Sequence, residues 1–194
     1  MNSTRRKQSE ILHATVSYFA CLAILMIALE NICEAAKVEK NMTTRKIIFL
    51  NASKNREGNT ATLAKIVLRG LDYKFVNLVD YHINQIDQES KTDQKMEVID
   101  QLEHSNVIVI GTPVYWSDMT GYLKTFIDRL SLDTDKDRLK GADVYLIIQG
   151  TEPSDAINGI TTVIEHVSKR FKLNYKGLIR NEAEACSVNK QLSK

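Results

Sequence analysis

Gly111-Thr112-Pro113-Val114-Tyr115-Trp116-Ser117-Asp118-Met119-Thr120-Gly121-Tyr122-Leu123-Lys124-Thr125-Phe126-Ile127-Asp128-Arg129-Leu130 follows directly on Val107-Ile108-Val109-Ile110. The short run before it is continuous, apolar and β-branched, as in a strand buried on both faces of a parallel sheet. Gly111 and Pro113 are expected to end that strand. Apolar residues then recur at Met119, Leu123, Phe126, Ile127 and Leu130, one face of a helix. The loop between holds Pro113, Val114, Tyr115 and Trp116, the only tryptophan of the chain. Open α/β sheets bind ligands in loops at the carboxyl ends of their strands. Two readings of Tyr115 and Trp116 therefore stand side by side: they meet a ligand, or they only cap the core.

The same strand-then-helix pattern extends in both directions. Upstream, Lys46 to Leu50 reads as a buried strand and Asn51 to Thr60 as a polar loop. Ala61 to Arg69 reads as a helix with Leu63, Ile66 and Val67 on one face and Gly70 as its stop. Tyr73 to Val79 is a second strand, and Tyr81 to Lys91 a connection. Thr92 or Asp93 caps a helix carrying Met96, Ile99 and Leu102. Downstream, the charged loop 134–140 reads as solvated. Val144 to Ile148 is a fourth strand, ending at Gln149-Gly150-Thr151. Asp155 to Phe171 is a helix with Ile157, Ile160, Ile164 and Val167 in phase. Leu173 to Ile179 is a last strand interrupted by Gly177, and the polar tail from Asn181 is expected to be loose. Such alternation predicts a doubly wound α/β fold with a five-stranded parallel sheet, order 2-1-3-4-5, and helices on both faces. Its switch point lies between the first and third strands, beside the two unusual loops.

The chain has 194 residues, enough for one good core and too few for two ordinary domains. Its net charge of +2 implies no large field toward nucleic acid or membrane. Cys21, Cys33 and Cys186 form no CxxC and no metal spacing, and the four histidines are isolated. Residues 1–41 differ from the rest. Arg5-Arg6-Lys7 precede an apolar-rich run, Ala14 to Leu29, shorter than the ~20 residues of a comfortable membrane span. This extension reads as a mis-called start ahead of Met42, as a signal or anchor, or as a helix of the fold. The domain proper is expected over 42–194.

The first loop leads straight into a helix N-terminus, where free N–H groups and the helix dipole favour an anion. Ser53, Asn55, Asn59 and Thr60 add short donors there, and Lys54 and Arg56 add charge. Gly58 lets the backbone approach closely. A plain strand–helix turn capped by Asn or Thr is the alternative for this loop.

Thr112-Pro113-Val114-Tyr115-Trp116, then Leu123-Lys124-x-Phe126-Ile127-Asp128-Arg129, resembles the NADPH-dependent FMN reductase family of flavodoxin-like proteins. Gly58-Asn59-Thr60 and Ser53 match that family's phosphate loop. Ala52 stands where the family has Gly, and Lys54-Asn55 stand in place of Pro-Arg. The resemblance covers about Arg45 to Leu178. It implies FMN rather than FAD, with the phosphate on Ser53, Lys54, Asn55, Arg56, Asn59 and Thr60. It places the ring against Pro113, Val114, Tyr115, Trp116, Gly150 and Thr151, and implies NADPH or NADH as co-substrate. It further implies a small-molecule electron acceptor (a quinone, azo, nitro or flavin compound), a homodimer and a cytoplasmic location, or export or anchoring if residues 14–29 act as a leader. Asp128-Arg129 is expected to tie its helix down or to join a subunit contact. The competing function is a flavodoxin-type carrier that binds FMN without using NAD(P)H. Of the 26 basic and 24 acidic residues, five and four precede Met42, leaving 21 and 20. That balance favours the enzyme over an acidic carrier.

Overall fold

Alternate residues of a buried strand face opposite sides of a sheet, and here both sides are apolar. Ile48, Leu50, Ile108, Val144, Leu146 and Ile148 belong to one core cluster. Ile47, Phe49, Val107, Val109, Tyr145 and Ile147 belong to the other. The computed structural model describes residues 26–30, 45–88, 90–133 and 135–194. Residues 45–194 form one compact unit. Their elements run β1 (Ile47–Asn51), α1 (Asn59–Val67), β2 (Lys74–Asn77), a 3-10 turn (Leu78–Asp80), α2 (Lys95–Leu102), β3 (Val107–Tyr115), β4 (Asp118–Met119), α3 (Gly121–Asp133), β5 (Asp143–Gln149), α4 (Ser154–Arg170), β6 (Asn174–Ile179) and α5 (Glu182–Leu192). The sheet order is β2-β1-β3-β5-β6, all parallel, with β4 antiparallel on the end of β3. Counting the parallel strands alone, this is the expected order 2-1-3-4-5.

The first cluster packs under α2, α3 and α4 through Val98, Ile99, Leu102, Leu123, Phe126, Leu130, Ile160 and Ile164. The second packs under α1 and α5 through Leu63, Val67, Ala185 and Leu192. The tail from Asn181 is therefore a helix, not a loose end. Asn181 accepts a hydrogen bond from Glu184 N–H at 3.0 Å, and the Glu184 carboxylate accepts one from Arg180 N–H at 2.7 Å. This reciprocal capping was legible as Asn-x-x-Glu. Ala185 and Leu192 are buried, and Asn189 Nδ2 donates to the Val67 and Arg69 carbonyls at the end of α1. Without α5, α1 would be alone on its face of a five-stranded sheet.

Three further expectations change. β3 does not stop at Gly111 or Pro113 but runs to Tyr115, pairing Gly111 with Ile147 and Pro113 with Gln149. Gly111 O accepts from Ala52 N–H at 2.8 Å, so its backbone faces β1. Pro113, two residues on, turns its missing donor to the same side, where β1 has already ended at Asn51. A proline there breaks no ladder bond. Met119 belongs to β4 and not to the following helix. Ile99 and Leu102 of α2 are buried as expected, but Met96 is 43% exposed and Lys95 and Val98 are buried instead. Gly177 has φ +141° where the β5–β6 register shifts between Val144 and Tyr145, the bulge that interrupts the last strand. The charged loop after α3 is tied down at Arg138, whose guanidinium forks onto Glu103 at 2.7 and 2.9 Å and reaches Asp100 at 2.6 Å.

Arg129 and Asp93 do the tying that was expected of the Asp-Arg pair. Arg129, 3% exposed, bonds Asp93 Oδ2 at 2.5 Å and the Asn84 carbonyl at 2.9 Å. Burial opposes ionisation of Asp93, but the Lys95 N–H and the Arg129 guanidinium outweigh it and hold the carboxyl below its ordinary range. α3 is thereby locked to the connection that leads into α2. The apolar run at 14–29 lies outside the described residues apart from 26–29, and residues 26–30 are helical and exposed. Among the described residues no helix is long and apolar enough to cross a membrane.

Candidate functional site

The chain leaves β1 through Ala52 and Ser53, both buried. The Asn51 side chain accepts from Ser53 N–H at 3.2 Å and donates to Asn77 of β2 at 3.0 Å. Ser53 Oγ accepts from Asn55 N–H at 3.1 Å. No acceptor for its hydroxyl hydrogen stands among the described residues. Lys54, Asn55, Arg56 and Asn59 are exposed around this turn. Arg56 pairs with Asp80 of the 3-10 turn, while Lys54 has no acidic partner among the described residues.

α1 begins two residues earlier than its apolar pattern indicates. Gly58 is its N-cap and makes no side-chain cap, and no acidic residue stands in the first turn. The first helical bond runs from Thr62 N–H to Gly58 O at 3.0 Å. The N–H groups of Asn59, Thr60 and Ala61 thus find no acceptor among the described residues. Thr60 is 2% exposed, so this turn is held against the sheet. Three orphan donors, the positive end of the helix dipole, a hydroxyl at Ser53 and no acid in the first turn suit a dianionic phosphate, the Glu57 carboxylate just before the cap being paired with Lys65. Gly111 of β3 stands behind the turn. A Cβ there would lie 2.5 Å from Thr60 Cγ2, so glycine is what allows α1 to seat at the switch point.

The second loop is a hairpin. Tyr115 pairs with Asp118 across two residues, Trp116 and Ser117, whose φ values are +52° and +62°. Two consecutive left-handed residues make a type I′ turn, normally the place of Asn-Gly. Each non-glycine residue held there costs roughly 1–2 kcal/mol. Trp116 projects from the tip and is 100% exposed. Ser117 donates to Asp155 in the first turn of α4, pinning the tip on that side. Successive residues of β3 then part ways. Val114 lies against the β5–α4 loop, where a Cβ on Gly150 would meet Val114 Cβ at 3.2 Å. Tyr115 points to the opposite flank and lines a groove of about 430 Å³ shared with Tyr81, His82, Thr120, Tyr122 and Thr125.

The two loops are joined by a residue that sequence reasoning passed over. Thr120 Oγ1 donates to the Ala52 carbonyl at 2.8 Å and lies 3.4 Å from Leu123 N–H, the N-cap position of α3. Thr120 N–H donates to Thr112 Oγ1 at 3.2 Å. Both threonines are buried. The signal was a Thr immediately before the helix, hidden by starting that helix at Met119. The residues singled out earlier thus fall in three places. Ser53, Lys54, Asn55, Arg56, Asn59 and Thr60 surround the β1–α1 turn. Pro113 and Val114 border Gly150 and Thr151 at the ends of β3 and β5. Tyr115 lies on the far flank, with the exposed Trp116 beside it at the hairpin tip.

Comparison with known proteins adds a family. The model of the NADPH-dependent FMN reductase family matches residues 45–166. YwqN of Bacillus subtilis, whose name describes an NAD(P)H-dependent FMN-containing oxidoreductase, is 26% identical over 154 residues, covering 71% of this chain and 84% of YwqN. Among solved structures, the Trp repressor binding protein from Bacillus subtilis superposes with a TM-score of 0.55 at 22% identity, covering 76% of this chain and 99% of that one. An FMN-dependent NADH-azoreductase from Bacillus anthracis, solved in complex with FMN, gives 0.55 at 14% identity, covering 76% and 96%. At those identities the structures speak for the fold.

Proposed function

The chain belongs to the NADPH-dependent FMN reductase family, and on that premise we propose that it holds FMN at the switch point and passes reducing equivalents from NAD(P)H to a small acceptor of the quinone, azo, nitro or flavin kind. The observation that carries the reading is the first turn of α1. Its unpartnered N–H groups, without a side-chain cap or an acid in the first turn, follow the Ser53 hydroxyl in the loop that leaves β1 at the switch point beside β3. A terminal phosphate fits that turn, and Lys54 adds charge at its rim.

FMN, when bound, would supply two-electron redox chemistry between a nicotinamide and the acceptor. The protein binds and orients. Asn59, Thr60 and Ala61 N–H and the Ser53 hydroxyl hold the phosphate, with Asn55 and Arg56 at the rim. The backbone of Pro113 to Trp116 and of Gly150-Thr151 borders the ring, where amide N–H groups stabilise negative charge at its polar edge. The Thr120–Ala52 bond keeps the two loops in fixed relation. No side chain is assigned as acid or base. The enzyme works as a homodimer, and residues 42–194 contain all that flavin binding requires.

The test is direct. Flavin released by heat is expected to be FMN on chromatography, and the yellow protein to bleach with NADPH or NADH under anaerobic conditions. FAD as the main flavin would refute the phosphate cradle. A flavin that neither nucleotide reduces would instead mark a flavodoxin-type carrier.

A further inference from the structure

We propose that the hairpin tip and the groove beside it form a reciprocal lock between two copies of this chain, Trp116 of each seated in the other's groove. The inference rests on the homodimer reading above and names its contact surface. Trp116 is 100% exposed on a turn whose two residues are both left-handed and neither of which is glycine. A tip shaped only by its own fold would favour Asn-Gly. A large apolar side chain held there, fully exposed among the described residues, gains by finding a surface elsewhere to cover it. Tyr115 and Tyr122, 49% and 44% exposed, stand at the same place.

The neighbouring groove suits an indole. It measures about 430 Å³, and Tyr81, Ile83, Tyr115 and Tyr122 give it apolar and aromatic walls. Among the described residues no Asp, Glu, Lys or Arg lines it, and its polar lining is His82, Gln85 and two threonines, although 26% of the chain is charged. Seating an apolar ring there strands no ion. Tip and groove are adjacent, since Tyr115 lines the groove and Trp116 follows it. A patch that carries both a knob and its hole is self-complementary about a two-fold axis, the requirement of an isologous dimer. Aromatic side chains bury about 150–250 Å² each, and the three exposures sum to about two rings per copy. The pair therefore buries roughly 600–1,000 Å² from aromatics alone, against about 1,200–2,000 Å² for a stable interface. The partly exposed Tyr81 and Ile83 and the exposed His82 of the groove add to that area.

Trp116 is the only tryptophan, so its emission reports on this contact alone. The full chain is diluted serially, both with its flavin bound and after the flavin is removed, and followed by fluorescence and sedimentation. The expected result is short-wavelength emission in the dimer, moving to that of water-exposed indole with the same midpoint as dissociation. Tyr122→Ala, which leaves the tryptophan in place, is expected to raise that midpoint at least tenfold. Water-exposed emission from a species that sediments as a dimer would overturn the lock while leaving the homodimer intact. Short-wavelength emission independent of concentration would overturn it too, placing the indole within its own copy. An emission change that needs FMN and no change in mass would assign Trp116 to the flavin of its own copy instead. A monomer at every concentration would overturn the lock and the homodimer together.

Discussion

Gly111→Ala is expected to push α1 off the sheet and weaken both the fold and the flavin site. The added Cβ would lie 2.5 Å from Thr60 Cγ2 and 2.9 Å from Phe49 Cε2. Carbon atoms in contact prefer about 3.5–4.0 Å, so the Thr60 side must give by about 1 Å and the Phe49 side by about 0.6 Å. Phe49 has little room: it is 2% exposed and stacks on Phe75 with ring centroids 4.9 Å apart. Thr60 therefore moves, and with it the first turn of α1. The φ of Gly111 lies outside the left-handed region, so alanine gains about 0.4–1 kcal/mol by restricting the unfolded chain. Overpacking costs about 1–3 kcal/mol, so the clash wins. For a domain of this size each kcal/mol is about 2–4 °C in Tm. Because a hydrogen bond to a charged group is worth about 1.5–3 kcal/mol, misaligning even one donor should weaken FMN binding by about tenfold or more. Thr60→Ser removes Cγ2 and keeps the hydroxyl. Urea unfolding of the flavin-free protein and FMN titration are then run on the wild type, both single variants and the double variant. The double variant is expected to be more stable than the sum of the singles by at least about 0.5 kcal/mol, and to bind FMN better than Gly111→Ala alone. Strict additivity in both measurements would refute the contact.

Three other outcomes are expected. Arg129→Met should destabilise the fold by about 3–5 kcal/mol at neutral pH, because it leaves the Asp93 carboxylate buried without its partner. In the wild type the depressed Asp93 value contributes stability above the unfolded range near 3.8, lost as pH falls through the folded value. The variant lacks that contribution, so urea unfolding at neutral and acid pH should show the deficit shrinking on acidification, and a deficit constant with pH would contradict the assignment. Ser53→Ala removes the hydroxyl given to the phosphate, so it should weaken FMN binding by roughly 10- to 100-fold and leave anaerobic reduction at saturating FMN unchanged, and a slowed reduction at saturation would place Ser53 near the reacting atoms. A chain beginning at Met42 should be soluble and yellow, and an insoluble or colourless product from that chain alone would make residues 1–41 part of the fold.

The runs Ile47 to Leu50, Val107 to Ile110 and Val144 to Ile148 were decided by the sequence alone, because a strand buried on both faces can use only apolar residues throughout. Their alternation with helices dictated a parallel sheet, and a parallel sheet with this order has its switch point between the first and third strands. The residues around both loops at that point, from Ser53 to Thr60 and from Pro113 to Trp116, were legible for the same reason. What the tertiary structure decided depends on neighbours distant in sequence. Pro113 continues β3 because β1 ends before reaching it, which no local pattern records. α5 forms because the face above β5 and β6 must be covered, although its own stretch is mostly polar and buries only Ala185 and Leu192. Trp116 and Ser117 occupy left-handed positions that their residue types disfavour, so local preference pointed to a loop where tertiary context makes a hairpin. Thr120 could be read as a helix cap, but its bond to the Ala52 carbonyl joins residues 68 positions apart, and only the folded chain brings them together.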